Sequence, residues 1–190
     1  MLYVPPSERT VVICGIDPGT NTLGCALLEV DIDTLAIQSI YTHTYVGETL
    51  SHSDSLVTHY GDRMARLDAL RQSLWHIFES SRPLYVGCEA PFINVRRPQA
   101  YGALVEAVGA VQAAVIAYDV RTVFRLVAPM LVKTAVKAKS SADKDGVWTA
   151  MQAIPEIAQA LRGFRPDEHS VDAIAVAYYV LNQLRTNPQY

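Results

Sequence analysis

The sequence predicts an α/β domain built on a mixed five-stranded sheet, with helices on both faces. Short β-branched runs that end at Gly, Pro or an acid open the chain and recur later. Between them the apolar period changes from two residues to about 3.6. Helical runs then separate the later strands, which is the pattern of crossovers between parallel neighbours.

Residues 11–17 (VVICGID) form the first predicted strand, stopped by Pro18 and Gly19, and 23–30 form the second after the turn TNT. Residues 35–46 alternate apolar and polar and complete a three-stranded meander. A helix follows over 60–78, where Met64, Leu67, Leu70, Leu74, Ile77 and Phe78 recur at helical spacing. Pro83 closes it, and 84–89 (LYVGCE) form the fourth strand. Pro98 suits the first position of a helix running to residue 118. This helix is apolar nearly all round, so it must be covered on more than one face. Residues 121–127 form the fifth strand, followed by helices over 130–137 and 145–162, the latter interrupted at Pro155 and stopped at Gly163. A last helix opens at RPDEHS and runs to about residue 184, packing through Val171, Ile174, Ala175, Tyr178 and Leu181. A single domain is expected over 11–185, with a flexible extension at 1–10 and a short tail at 186–190.

Composition agrees with one self-sufficient core. Half of the 190 residues are apolar and 18% are charged, which excludes a mostly disordered chain. Cys14, Cys25 and Cys88 are odd in number, lack a CxxC spacing and lie in apolar runs, so they read as reduced and buried. With no signal-like start and no long uninterrupted apolar run, a soluble cytoplasmic protein without a membrane partner is expected. The net charge of −3 argues at first against nucleic acid. Its distribution argues otherwise: residues 121–165 carry eight basic side chains against three acidic, while 1–90 carry five against eleven.

Asp17 and Glu89 end the first and fourth strands. In open α/β sheets ligands gather beyond the carboxyl ends of strands, so two acids there converge on one crevice, although strand-end acids also form turns and caps. In DEHSVD, Glu168, His169 and Asp172 share one face of the last helix near its N-terminus, where the helix dipole favours negative charge. Asp167 and Glu168 are explained by capping and the first turn alone; Asp172 is not. Clustering such acids costs several kcal/mol unless cations relieve it. Oxygen donors with one imidazole suit Mg²⁺ or Mn²⁺. Two ions about 4 Å apart suit in-line phosphodiester hydrolysis.

GIDPGTNTLG at 15–24, CEAPF at 88–92, PMLVKTAVKAKSSADKDGV at 129–147 and DEHSVDAIAVA at 167–177 resemble, in order and spacing, the motif regions of the RuvC-type Holliday-junction resolvases. The resemblance implies an RNase H-like fold, a homodimer, and Mg²⁺-dependent symmetric nicking of four-way DNA junctions. It implies catalytic and metal roles for Asp17, Glu89, His169 and Asp172. Either Glu168 or His169 supplies the fourth ligand. Phe92 matches an aromatic that contacts bases near the crossover, and Lys133 and Lys144 match basic residues associated with DNA and catalysis. The chain departs from the family where KAKSS replaces a Gly-containing loop.

Lys133, Lys137, Lys139 and Lys144, with Arg96 and Arg97, are the expected phosphate contacts around the crevice. A two-fold junction suits a C₂ dimer, and the helix over 98–118 is the candidate interface through Tyr101, Val105, Val108 and Gln112. Other readings are a different RNase H-like nuclease or strand-transferase, and a junction-binding scaffold that does not cut. GIDPGT also resembles a phosphate loop of actin-like ATPases, but those folds need a second such domain.

Overall fold

The computed structural model describes residues 9–50, 53–93 and 98–187. The N-terminal meander comprises β1 (Thr10–Asp17), β2 (Thr22–Asp31) and β3 (Ile37–Val46). After it come α1 (Asp54–Tyr60), α2 (Asp62–Ser81), β4 (Tyr85–Glu89), α3 (Gln99–Tyr118) and β5 (Val123–Val127). The chain ends in α4 (Pro129–Ala135), α5 (Lys144–Gln152), α6 (Pro155–Leu161) and α7 (Glu168–Thr186). The five strands are ordered β3-β2-β1-β4-β5. β1 pairs antiparallel with β2 and parallel with β4, β2 pairs antiparallel with β3, and β4 pairs parallel with β5. The expected mixed sheet with helices on both faces is therefore present.

Strand alternation divides the core into two layers. Ile13, Ala26 and Leu28 face α4 to α7, together with Val132, Met151, Ile157 and Ile174. Cys14, Ile16, Cys25 and Leu27 face α2 and α3, meeting Leu70, Leu74, Phe78, Val111 and Val115. Cys14, Cys25 and Cys88 are all buried free thiols, as expected.

Several boundaries differ from the sequence reading, each for a local reason. The helix expected over 60–78 is α2, and an unexpected short helix, α1, precedes it, the two separated where the chain turns at Gly61 with φ of +82°. Leu67, Leu70, Leu74 and Phe78 are buried as expected, but Met64 is 47% exposed and the small residues Ala65 and Ala69 join the buried stripe instead. β3 starts at Ile37 because Asp31 accepts hydrogen bonds from the Asp33 and Thr34 amides and Leu35 takes φ of +54°. β5 starts at Val123 because Asp119 accepts from Arg121 and holds a turn.

At the termini, β1 already includes Thr10, Arg9 pairs with Asp33, and α7 continues to Thr186. Residues 1–8 and 188–190 of the expected extension and tail lie outside the described residues.

α3 is covered on one side only. Ala107, Val108, Val111, Ala114 and Val115 are buried. Tyr101, Val105 and Ile116 are exposed, and the space above Gly102 and Gly109 is open. Val108 therefore belongs to the inner face, which corrects its placement on the expected dimer face. Among the described residues α3 is the one helix long and apolar enough to cross a membrane by length and composition, and its inner face is spent on the α2 layer.

Candidate active site

α7 crosses the sheet in the direction opposite to β1, and glycines let it lie close. A Cβ on Gly24 would overlap the His169 carbonyl, and one on Gly15 would overlap the Ala173 carbonyl. Further along, Val176 and Val180 pack over Gly87 of β4. The first turn of α7 is thereby set over the carboxyl end of β1. One turn before Val176 on α7 stands Asp172, and Glu89 ends β4.

The acids leave the sheet at one level. Ile16 is in parallel register with Cys88, so the next residues, Asp17 and Glu89, end adjacent strands together. Burial, and then the negative charges of Asp17 and Glu89, push the Cys88 thiol well above its ordinary value. His169 Nδ1 lies 2.8 Å from Asp17 Oδ2, with both side chains largely buried. Its Nε2 is 3.6 Å from Oε1 of Glu168, whose side chain is 58% exposed. His169 thus reaches Asp17 directly, Glu89 ends the strand beside it, Glu168 lies at the exposed rim, and Asp172 follows His169 on α7.

The α7 N-terminus is capped by Asp167, which accepts from the amides of His169 and Ser170. Thr44 Oγ1 of β3 donates to Asp167 Oδ1 at 2.7 Å, and Ser170 Oγ donates to Oδ2 at 2.9 Å. Burial alone would raise the Asp167 carboxyl; the hydrogen bonds from Thr44, Ser170 and His169 outweigh it and hold the group below its ordinary value.

Oxygen donors from Asp17, Glu89 and Asp172 beside one imidazole fit a hard divalent cation. Among the described residues, however, no three His, Cys, Asp or Glu side chains are grouped closely enough to hold a metal ion as they stand. Asp17 and His169 instead satisfy one another.

The basic residues are more dispersed than the sequence suggests. Lys133 is half-buried, and its Nζ donates to the carbonyls of Ser140 (3.2 Å) and Ala142 (2.7 Å), tying down the loop before α5. Lys137 adopts φ of +59° and lines a cavity of about 440 Å³ with Ala150, Ile154, Glu156 and Tyr178. Tyr178 lies nine residues beyond His169, roughly 14 Å along the helix, so Lys137 stands away from the acids. Lys139 is exposed; Lys144 opens α5, with its side chain outside the described ones. Arg96 and Arg97 also lie outside the described residues. Phe92 is 49% exposed, three positions beyond Glu89. Sequence reasoning missed Thr44 and Ser170. The Asp-x-x-Ser cap signal at 167–170 pointed to Ser170, but no local pattern pointed to Thr44.

A profile described as crossover junction endodeoxyribonuclease RuvC matches residues 13–179. No curated protein sequence matches the chain. Among solved structures, Thermus thermophilus RuvC aligns with a TM-score of 0.68 at 22% identity, over 93% of this chain and 96% of that one. T. thermophilus RuvC in complex with Holliday junction substrate aligns at 0.66 and 24% identity, over 89% and 92%. The yeast mitochondrial Holliday junction resolvase Ydc2 aligns at 0.63 and 13% identity, over 99% and 83%. These likenesses establish the RNase H-like fold. Because the profile spans most of the sequence, including β1, β4 and the start of α7, the chain belongs to the RuvC family of crossover junction endodeoxyribonucleases.

Proposed function

We propose that this protein resolves four-way DNA junctions by paired symmetric nicks, acting as a homodimer whose subunits each hold Mg²⁺ or Mn²⁺ at the corner formed by β1, β4 and α7. The observation that carries this reading is the contact of His169 with Asp17 at a strand end level with that of Glu89, within a RuvC-family fold. Asp17, Glu89, Asp172 and His169 are the residues that would hold the ions, with Glu168 at the edge. Bound there, two divalent ions supply an activated water and neutralise the charge of the leaving oxygen.

The chain's own groups do the rest. The Asp17 carboxylate orients the His169 ring through Nδ1. The positive end of the α7 dipole faces the same corner and favours an anionic phosphodiester. Phe92 offers an exposed ring to stack against an unpaired base near the crossover. Lys137, Lys139, Lys144, Arg96 and Arg97 contribute phosphate contacts that position DNA without reading sequence, and Lys133 shapes the loop that carries the basic track. A soluble protein in a DNA-containing compartment follows from this activity.

The direct test is cleavage of a synthetic four-way junction and of its component linear duplex, with Mg²⁺, Mn²⁺ or chelator. We expect metal-dependent nicking of the junction, at least about a hundredfold faster than of the duplex, and none with chelator. Equal cutting of both substrates overturns the assignment to junctions.

The open face of α3 supports the dimer. Tyr101, Val105 and Ile116 flank Gly102 and Gly109, over which a second backbone has room to approach. A charge at its centre, Val105→Glu, is expected to weaken self-association at least about tenfold while leaving the monomer folded. Light scattering after size exclusion reads this directly; an unchanged dimer places the interface elsewhere.

A further inference from the structure

We propose that Thr44 of β3 is a positioning residue for the nuclease centre, acting through Asp167 to hold the first turn of α7 and, with it, His169. This rests on the reading of His169 as a metal ligand given above. Asp17, Gly24 and Thr44 are successive cross-strand partners, so they form one row across β1, β2 and β3. The first turn of α7 straddles that row. Its middle rests on Gly24, where no side chain could fit under the His169 carbonyl. On one side His169 Nδ1 reaches Asp17 Oδ2 at 2.8 Å; on the other, Thr44 Oγ1 donates to Asp167 Oδ1 at 2.7 Å.

The first turn of a helix is where its amides lack internal partners and where fraying begins. Here Asp167 Oδ1 takes the His169 amide at 3.0 Å, the Ser170 amide at 3.1 Å and the Thr44 hydroxyl, while Oδ2 takes the Ser170 hydroxyl. Three donors converge on Oδ1 and one on Oδ2, so the two oxygens are not interchangeable and the carboxylate's orientation is specified. The hydroxyls of Thr44 and Ser170 are 3.1 Å apart, and each has an Asp167 oxygen to receive its proton. Of the donors to Asp167, Thr44 alone comes from the sheet. Without it the cap still satisfies the helix but no longer ties the helix end to the strand row. Asp172 lies further along, beyond the amides that the cap holds, whereas the His169 amide is one of them, so the loss falls on His169.

The test compares Thr44→Val, which keeps the shape and removes the hydroxyl, with Thr44→Ser, which keeps the hydroxyl. Measurements are the Mn²⁺ concentration for half-maximal junction cutting, the Mn²⁺ broadening of the His169 ring signals in histidine-labelled protein, and the thermal midpoint. Partners one step removed from a metal ligand are typically worth about ten- to a hundredfold in metal affinity. For Thr44→Val we expect the Mn²⁺ midpoint to rise about tenfold and the His169 signals to shift and broaden at correspondingly higher Mn²⁺. Thr44→Ser should return both to within about twofold of the parent. A lower thermal midpoint with unchanged Mn²⁺ response and unchanged His169 signals overturns the proposal, because a merely structural Thr44 behaves so. Should Thr44→Val not fold, Thr44→Ala, which also removes the hydroxyl, must shift the same two readouts in the same direction, and its silence overturns the proposal. If the parent protein cuts no junction, the proposed function fails, while the His169 signals and their response to Mn²⁺ still decide the role of Thr44.

Discussion

Asp17→Asn is expected to reduce junction cutting on the order of a thousandfold while leaving junction binding in metal-free buffer within about twofold of the parent. The substitution is nearly isosteric, and an amide oxygen can still accept from His169 Nδ1, so the 2.8 Å contact and the seating of α7 survive. What disappears is the negative charge at the end of β1, on which both cation binding and the polarisation of the imidazole depend. Loss of cutting together with loss of folding, read by circular dichroism, would defeat this expectation. His169→Ala should cost more activity than Glu168→Ala, because His169 is packed against Asp17 whereas the Glu168 side chain is 58% exposed. The reverse order would reassign the fourth ligand.

The second large effect is on stability. A Cβ at Gly15 would overlap the Ala173 carbonyl and come within 2.6 Å of the Ala177 amide and 2.9 Å of its Cβ. These are mostly backbone atoms of a buried helix, so no side chain can swing aside. Gly15→Ala must lift α7 from the sheet, opening the layer that contains Ile174, Ala177 and Leu181. We expect a loss of about 3 kcal/mol or more. In a domain of this size that lowers the thermal midpoint by about 6–12 °C. Cutting should fall as well, because lifting α7 withdraws His169 and Asp172 from β1 and β4. A midpoint within about 2 °C of the parent would show that the helix does not bear on Gly15.

Much of this architecture was legible because its signals are local. β-branched runs ending at Pro18, Glu89 and Pro129 mark β1, β4 and β5, and the Asp at position 167 followed by an apolar period marks α7. The acids were legible because a charge at the end of an apolar strand has no packing purpose. Periodicity was weaker where small residues carry the core: Ala65 and Ala69 are buried while the bulkier Met64 faces solvent. It also misassigned Val108 on α3, because a helix apolar all round does not announce which side its own sheet will cover. Thr44 was out of reach for a different reason. Its partner Asp167 is 123 residues away, and the pairing exists only once β3 lies beside β2 and α7 lies across both. For Lys133 the sequence suggested a phosphate contact and gave no sign that its ammonium also donates to the carbonyls of its own loop, since that loop's path is not written in the local pattern.

The contact between Asp17 and His169 joins groups 152 residues apart, one on the first strand and one on the last helix. Contacts of such separation form late, since the chain must close a very large loop before they repay its entropy. During synthesis the strands and the α2 layer can collapse first, while α7 is still in the ribosomal tunnel. Such a nascent chain holds Asp17 and Glu89 but has neither His169 nor Asp172 beside them. On the proposed reading the site is therefore put together by the docking of α7 and not by the folding of the sheet that carries its first two acids.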